Sequence, residues 1–490
     1  MKDTPQKLSV VEKVGYSLGD LAANLIFQTL MTFLAFFYTD VYKIPAGTAS
    51  VIIFVGGFFG AFFNIIMGAI ADRTNTRWGK FRPWILWTSL PFGVIAMLAF
   101  STPDFGETGK LIYALITYFL LVIIYSANNL PYSALSGVIT GNMKERNSLS
   151  SYRFVAVMIA QFVIQVLLLP LVLISGHGDK AAGFKTVMTF FAITGVIFFF
   201  ITFLTTRERI VPAQNKKSSV SVDLKDLFKN KPWLIMLFLT ILVFITLALK
   251  GGMYIYYFKY YLNEPAIASF LDNIGFNKFT NWLNQTTGFQ WPDDPATSGN
   301  SLFNASGIIF MIAGIMLSKP LADRFGKRDV FGTFLFLSAI FLLLFVFYSP
   351  DSIGIVFITQ ILHGFFYGVT IPLLWAMIAD VADYSEWKNN RRATAIIFSA
   401  MIFGLKIGLS VGGALGAALL AKYGYIAEAS HQTASTVSGI RMSVSIYPCI
   451  FFVLGVVLLM GYKINKKMEL TIEKDLKERR ALPDKKIENA

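Results

Sequence analysis

About twelve apolar runs, each long enough to form a membrane-crossing helix, constrain this chain more than any other feature. They fall at roughly 15–40, 47–71, 83–101, 110–137, 152–174, 185–205, 233–262, 302–320, 329–348, 352–379, 393–421 and 440–462. A helix of ~20 apolar residues crosses the ~30 Å hydrocarbon core of a bilayer. A helix also pairs its backbone polar groups within one segment, which lipid demands. A chain that is 55% hydrophobic and 15% charged, with a mean hydropathy of +0.59, is too apolar for an ordinary soluble domain. The fold class is therefore an all-α integral membrane protein. An even number of spans places both termini on one side.

The basic residues orient it. Of 43 Lys and Arg, 33 fall in the N-terminus, the even-to-odd loops and the C-terminal tail, seven in the opposite loops, and Lys250, Lys259 and Lys406 within spans. Cytoplasmic loops carry that excess, so both termini are expected to be cytoplasmic. The net charge of +14 is dealt out loop by loop at membrane boundaries, which fits contact with anionic membrane lipid and not nucleic acid. Cys449 is the only cysteine, so no internal disulfide and no cysteine metal cluster can form. No metal or cofactor is expected. The first thirteen residues are polar and no cleavage site follows a short apolar core, so the first span reads as retained. Paired carboxylates, a nucleophile with a base, or clustered metal ligands are missing from the spans, which argues against an enzyme.

Two stretches interrupt the spans. Residues 206–232 are polar, rich in Lys and Ser, and read as a cytoplasmic linker between an N-terminal bundle, 1–205, and a C-terminal bundle, 233–462. Residues 263–300 form an outer loop insertion that reads first as a plain connector, with a short amphipathic helix over Ile267 to Leu283 as the alternative. The tail, 463–490, reads as a charged cytoplasmic helix near the lipid surface.

A loop motif recurs. DRTNTRWGKFRPW, from Asp72 to Trp84, is echoed by DRFGKR from Asp323 to Arg328. Transporters built from parallel repeats rock two halves around a midplane site. An acid at a helix end can accept bonds from a neighbouring helix N-terminus and pair with Arg. Asp72, Arg73, Arg77, Asp323 and Arg324 thus read as a cytoplasmic gate. Glu145, Arg146 and Arg153 after the fourth span are mirrored by Asp380, Asp383, Glu386, Arg391 and Arg392 after the tenth, and these ions are expected to cross-link the halves when the gate shuts.

VGYSLGD (Val14 to Asp20), FFYTDVYKI (Phe36 to Ile44), ADRTNTRWGKFRPW (Ala71 to Trp84), NLPYSAL (Asn129 to Leu135), YYFKYYL (Tyr256 to Leu262) and ADVADYSEWKNNRRATA (Ala379 to Ala395) carry a family resemblance. The chain resembles the glycoside, pentoside and hexuronide cation symporters of the major facilitator superfamily, which include the melibiose and glucuronide carriers. The resemblance implies two six-helix bundles around a central cavity, a monomer in a bacterial inner membrane, and a sugar bound together with H+ or Na+.

An ionisable group inside a bilayer is a functional candidate by default. Asp20 is the one carboxylate expected well inside the N-terminal spans, with Asn24 one turn on along the same face. Alignment with the melibiose carrier puts Gly60 and Asn64 where carboxylates of its second span help bind the cation, and Asn129 where its fourth-span carboxylate stands. Asp20, Asn64 and Asn129 are therefore the coupling candidates, with H+ expected in preference to Na+ and uncoupled transport as the alternative. Lys250, Lys406 and Arg153 retain positive charge, which an anionic uronate would match. Sugars also need aromatic platforms and groups that both donate and accept. Asn128, Asn129, Tyr132, Tyr256 and Trp375 join Asp20, Asn24, Arg153, Lys250 and Lys406 as substrate-binding candidates, with Tyr125, Tyr257, His363 and Tyr367 behind them. A lysophospholipid-type lipid carrier is the rival reading, supported by the abundance of phenylalanine and opposed by these buried amides.

Overall fold

Apolar runs of this length fold as helices because each satisfies its own backbone, and the computed structural model is helical along every span. It describes residues 7–140, 143–209, 229–287, 290–389, 394–429 and 431–481. The spans are α1 (Val10–Phe36), α2 (Ala46–Arg73), α3 (Arg82–Ala99), α4 (Glu107–Ile139), α5 (Met143–Phe162, then Leu168–Ser175), α6 (Lys180–Thr205), α7 (Lys231–Tyr256), α8 (Pro295–Phe325), α9 (Lys327–Leu344), α10 (Ile353–Asn389), α11 (Thr394–Lys422) and α12 (Ala434–Val444, then Ile446–Met460). Eleven segments among the described residues are long and apolar enough to cross a membrane. The remaining helix, α3, opens on Arg82-Pro83-Trp84 and packs along α4 and α6. Side-chain caps start several of them: Ser9 for α1, Asp179 for α6, Asn230 for α7 and Asp294 for α8.

The two halves repeat one packing plan. In the first, α1 packs on α5 and α6, α2 on α4, and α3 on α4 and α6. In the second, α7 packs on α11 and α12, α8 on α10, and α9 on α10 and α12. Helices six apart are equivalent, as parallel repeats require. The equivalence extends to local defects. Helix α1 ends in a π turn at Phe37–Val41 and α7 in a π turn at Tyr257–Tyr261, each followed within four residues by a proline, Pro45 and Pro265. Across the halves α2 meets α11, α1 meets α7, and α8 meets the π turn of α5 at Val163–Leu167.

Close backbone approach seals the C-terminal half. A Cβ placed on Gly368 of α10 would lie 2.1 Å from the Met311 carbonyl oxygen of α8, and one on Gly364 would lie 2.5 Å from that of Gly307. Small residues at this spacing let membrane helices touch where no hydrophobic force drives them together.

Two segments outside the spans take definite form. The outer insertion is no plain connector but holds two short helices, Glu264–Asn273 and Phe276–Thr287, which Gly275 separates by turning the chain with φ of 77°. The tail is helical as expected over Lys466–Ala481, and it docks on the C-terminal half. Met468, Ile472 and Leu476 recur every four residues and form a buried apolar stripe. Asp475 accepts a bond from Trp387 Nε1 at 2.8 Å, and Lys466 Nζ donates to the carbonyls of Asp323 and Arg324 at 2.8 and 3.1 Å. Most of the linker, 210–228, lies outside the described residues. Beside it, Arg209 grips Glu12 of α1 through two bonds of 2.6 and 2.9 Å, which hold the Arg209 pKa above its ordinary value.

The replacement Gly368→Ala forces a methyl against the α8 backbone, which has no flexible end to yield. Overpacking of this kind costs about 1–3 kcal/mol. The thermal unfolding midpoint of the detergent-solubilised variant is expected to fall by several degrees, and an unchanged midpoint would show that the α8–α10 contact is looser than described.

Candidate functional site

A cavity of about 550 Å³ lies between the halves, within the range of small-molecule sites. Helix α1 contributes Asp20, Asn24 and Gln28; α5 contributes Arg153, Gln161 and Gln165; α7 contributes Lys250 and Tyr254; α8 contributes Asn304; and α10 contributes Gln360, His363, Tyr367 and Trp375. Phe27, Met31, Met158 and Leu409 supply apolar wall. Donors and acceptors thus stand at several heights around a partly greasy chamber.

On the N-terminal wall the Arg153 Nε donates to Asp20 Oδ2 at 2.9 Å, and Asn24 Nδ2 donates to the Asp20 carbonyl at 2.9 Å and to its Oδ1 at 3.3 Å. The guanidinium also lies over the rings of Tyr132 and Tyr16, 5.2 and 5.6 Å from their centroids. Those two rings stack 4.6 Å apart, and each hydroxyl donates to the other's carbonyl. The tyrosine pair therefore fixes the arginine that fixes Asp20. A lone charge at a helix centre costs about 2.5–3.5 kcal/mol or more, and Asp20 and Arg153 stand there as a pair.

The C-terminal wall differs. Lys250 Nζ lies 2.5 Å from His363 Nε2, and His363 Nδ1 faces the Ser338 hydroxyl and carbonyl at 2.9 and 3.0 Å. Tyr254 donates to Gln360 Oε1 at 3.4 Å. At the junction of the halves Asn304 Nδ2 donates to the Gln165 carbonyl at 3.2 Å, which the π turn of α5 leaves outside the regular ladder.

Of the substrate candidates read from sequence, Asp20, Asn24, Arg153, Lys250 and Trp375 line this cavity, as do His363 and Tyr367. The structure sets the others elsewhere. Asn128 is buried inside the N-terminal bundle, donating to Thr88 Oγ1 at 2.8 Å. Tyr132 lies behind Arg153 with its hydroxyl engaged by Tyr16. Tyr256 meets Thr39 in the outer closure, and Tyr257 packs on Tyr261 and Phe345 inside the C-terminal half. Lys406 lies in a recess between α1, α2, α4 and α11 that shares Phe27, Met31 and Leu409 with the cavity wall, 3.5 Å from Ser126 Oγ and over the Tyr125 ring at 5.2 Å. Asn129 and Asn64 lie outside the lining of the cavity, so the three coupling candidates do not converge. Gly60 packs on Val122 and Gly68 on Leu130, which puts Asn64, midway on that face, against α4.

The face opposite the termini is shut by bonds between the halves. Asp40, in the first π turn, is fully buried and accepts from Tyr425 at 2.7 Å and Lys259 at 3.3 Å. Thr39 donates to Asp40 Oδ2 at 2.7 Å and so accepts from Tyr256 at 2.8 Å. Ser50 Oγ donates to the Ala414 carbonyl at 2.8 Å, tying α2 to α11. Lys43 and Lys180 both pair with Glu428, and the Lys43 bond holds that carboxyl below its usual range. These last groups are nearly half exposed, where such pairs contribute only about 0–1 kcal/mol. The buried Asp40 cluster therefore dominates the closure.

On the terminal face the charges pair within each half. Glu145 holds Lys13 at 2.9 Å and the Leu8 amide at 3.1 Å, while Arg146 donates to carbonyls of its own bundle. Lys327 bridges Asp380 at 2.6 Å and Glu469 at 2.8 Å. Arg73, Arg77, Asp323 and Arg324 are exposed. Asp383 and Glu386 lie on the last turns of α10 beside them. The side chain of Asp72, together with Arg391 and Arg392, lies outside the described residues. Among the described residues, Lys13–Glu145 and Lys327–Asp380–Glu469 thus each stay within one half, and the cavity lining reaches exposed residues on this side, Ser150, Phe154 and Trp375.

Sequence reasoning missed three groups. Asp40 is a further buried carboxylate in the N-terminal half besides Asp20 and Glu12, though it sits inside the quoted FFYTDVYKI, whose apolar flanks are the signal. Glu208 accepts the backbone N–H groups of Lys80, Phe81 and Arg82 at 2.7–2.8 Å and so caps α3 from across the bundle. The glutamines of α5 and α10 read as ordinary polar residues until folding collects them on one chamber.

Replacing Asp40 by Asn removes the charge from a buried cluster whose charge-assisted bonds each contribute about 1.5–3 kcal/mol. In a Cys449→Ser, Gln28→Cys background, Asp40→Asn is expected to raise the rate of alkylation by an impermeant maleimide from the non-terminal face by about tenfold or more. An unchanged rate would show that the outer closure does not depend on Asp40.

Comparison with known proteins agrees with this architecture. A model of the family described as MFS/sugar transport protein matches residues 15–278 and 296–466. The chain is 36% identical over 456 residues to the inner membrane symporter YicJ of Escherichia coli (strain K12), covering 93% of this chain and 92% of the relative. It is 33% identical over 484 residues to that organism's putative glycoside/cation symporter YagG, covering 99% and 98%. It is 30% identical over 480 residues to the isoprimeverose transporter of Lactiplantibacillus pentosus, covering 96% and 93%. Among solved structures, a bacterial homolog of the human lysosomal transporter Spinster, in an inward-facing and unoccupied conformation, superposes with a TM-score of 0.61 at 13% identity, covering 95% of this chain and 99% of that one. The match supports the major facilitator fold. With twelve helices in two repeated bundles around one polar cavity, this chain belongs to the MFS/sugar transport family and is a membrane transporter, not an enzyme.

Proposed function

We propose that this protein is a secondary active transporter that imports a sugar or glycoside with a coupling cation, H+ rather than Na+, across a bacterial inner membrane by alternating access. The cavity carries this reading. Its lining combines the side-chain amides of Asn24, Gln28, Gln161, Gln165, Asn304 and Gln360 with Trp375 and Tyr367. Amides both donate and accept, as sugar hydroxyls require, and aromatic faces suit the apolar side of a pyranose ring. Relatives named for glycosides and isoprimeverose support the same class of cargo.

Proton coupling is favoured by what the chamber offers a cation. Na+ needs several oxygen ligands, with negative charge among them. Asp20 is the one carboxylate in the described lining, and Arg153 engages it. A proton needs only one basic site. The excess of basic residues in the loops on the terminal face supports a cytoplasmic side for the termini and the open face, which would make the state described the one that releases cargo inward. A uronate is the second reading, favoured by Lys250, which reaches the cavity with no carboxylate partner.

The test is uptake into proteoliposomes of radiolabelled methyl β-D-xyloside, methyl β-D-glucoside and methyl β-D-glucuronide under an imposed proton or sodium gradient. Accumulation of at least one sugar above equilibrium, driven by protons and indifferent to sodium, is expected. Sodium-driven accumulation would overturn the choice of ion. Equilibration unaffected by either gradient would make the protein a uniporter, and transport of none of the three would overturn the sugar reading.

A further inference from the structure

The mechanism sketched above leaves one buried pair unused. Lys250 and His363 meet on α7 and α10 at the C-terminal wall, both are buried, and both line the cavity. An ammonium is donor only, so Nε2 of His363 must be its acceptor. The imidazole then carries its proton on Nδ1, which donates to the Ser338 carbonyl of α9. The contact therefore holds one excess proton, on nitrogen, between two bases. A second proton would set two cations 2.5 Å apart. Loss of the first would leave an amine beside a neutral ring. Two bases this close titrate as a unit.

We infer that the Lys250–His363 pair is the proton-binding site of this transporter, loaded and emptied once per cycle through the cavity. The inference rests on the proton-coupled reading above and gives that proton an address.

The surroundings define its properties. Facing the pair are Tyr254 on α7 and Tyr367 on α10, whose rings lie 5.8 and 5.7 Å from Nζ. Ser338 faces it from α9, and Phe452 stacks near the imidazole from α12, with Cys449 one turn away. Helix α8 presents backbone at Gly307, packed on Gly364. No carboxylate is among these groups. The nearest charged pair in the described lining is Asp20 with Arg153 on the opposite wall, where each already neutralises the other. Lys406 faces Ser126 and Tyr125 in the adjoining recess.

A positive charge so placed has donors to spare and no anion. Nζ gives one N–H to His363 and keeps two for the cavity. Sugar hydroxyl or ring oxygens are lone-pair acceptors that can take them. Bound sugar thus stabilises the loaded pair, and the loaded pair binds sugar better than the empty one, which is the reciprocal linkage a symporter needs. On opening inward, sugar departure removes those acceptors, and the proton leaves from Nζ to water at the terminal face. Atoms and charge balance, with one H+ entering and one leaving per cycle.

Two measurements test this. The chain has three histidines, and His177 and His431 lie outside the spans. In a His177→Asn, His431→Asn protein in nanodiscs, 15N NMR reads His363 alone. Asparagine suits position 177, whose φ is +47°. The expected result is the Nδ1–H tautomer, with a titration that changes when Lys250 is replaced by Met. A His363 signal indifferent to Lys250→Met would overturn the pairing whatever the cargo.

The second is transport of methyl β-D-xyloside and methyl β-D-glucuronide by His363→Gln. Counterflow, which needs no net proton movement, is expected to remain measurable at the level the altered cavity wall allows, while proton-driven accumulation falls to about the equilibrium ratio. Counterflow also reports folding. If His363→Gln loses both while remaining folded by thermal midpoint, the pair serves sugar binding alone and the inference fails. Proton-driven accumulation kept by the variant overturns the inference and leaves the symport reading intact, whereas wild type without it overturns that reading.

Discussion

A carboxylate out of reach of water closes one face of this transporter. Asp40 sits in a π turn where α1 leaves its regular ladder, and its oxygens accept bonds from Thr39 in its own half and from Lys259 and Tyr425 in the other. A buried charge is tolerated only while such partners are present, because removing them leaves an uncompensated ion at a cost of about 3–5 kcal/mol. The closure is therefore cooperative. Its members hold together or part together, and parting requires water to reach Asp40. The exposed Lys43–Glu428 contact steadies the same face with far less energy.

With that face shut, the shape of the rest follows. Equivalent helices of the two halves pack the same way, so each half can move as a body, and the polar cavity lies at the seam. Strong contacts on the other face stay within a half: Lys13 with Glu145, Arg209 with Glu12, Lys327 with Asp380 and Glu469. The tail helix reinforces this by bracing α10 and the α8–α9 turn from below. A reversal would exchange the Asp40 cluster for new pairs among the same basic loops. Arg73, Arg77, Asp323 and Arg324 of the duplicated loops, exposed in this state, stand where such pairs would form.

Much of this was legible in the sequence, for a physical reason. Twenty-residue apolar runs report directly on lipid, so the spans and their grouping into two halves follow from composition and spacing. Asp20, Asn24, Lys250 and Trp375 were visible because polar residues inside apolar runs are rare. Asp40 was not, since an acid near the end of a span looks like the start of a loop until the π turn folds it inward. Asn128, Asn129, Tyr132 and Lys406 also stand inside apolar runs, but nothing in a single chain says whether a helix face meets the cavity, its own bundle or, as for Lys406, a helix of the other half. The glutamines of α5 and α10 posed the opposite problem, being individually unremarkable and significant only together. The docking of the tail rested on three apolar residues in a strongly charged segment, easily outweighed by its charge.

The most direct test of the account is a pair of distances. Spin labels at Glu107 and Asp272 report separation of the halves on the closed face, and labels at Arg73 and Lys388 report it on the open face. In nanodiscs, Asp40→Asn is expected to lengthen the first distance and shorten the second relative to the otherwise identical protein with Asp40 intact. Distances that change on one face alone, or on neither, would contradict a rocking pair of halves held by the Asp40 cluster.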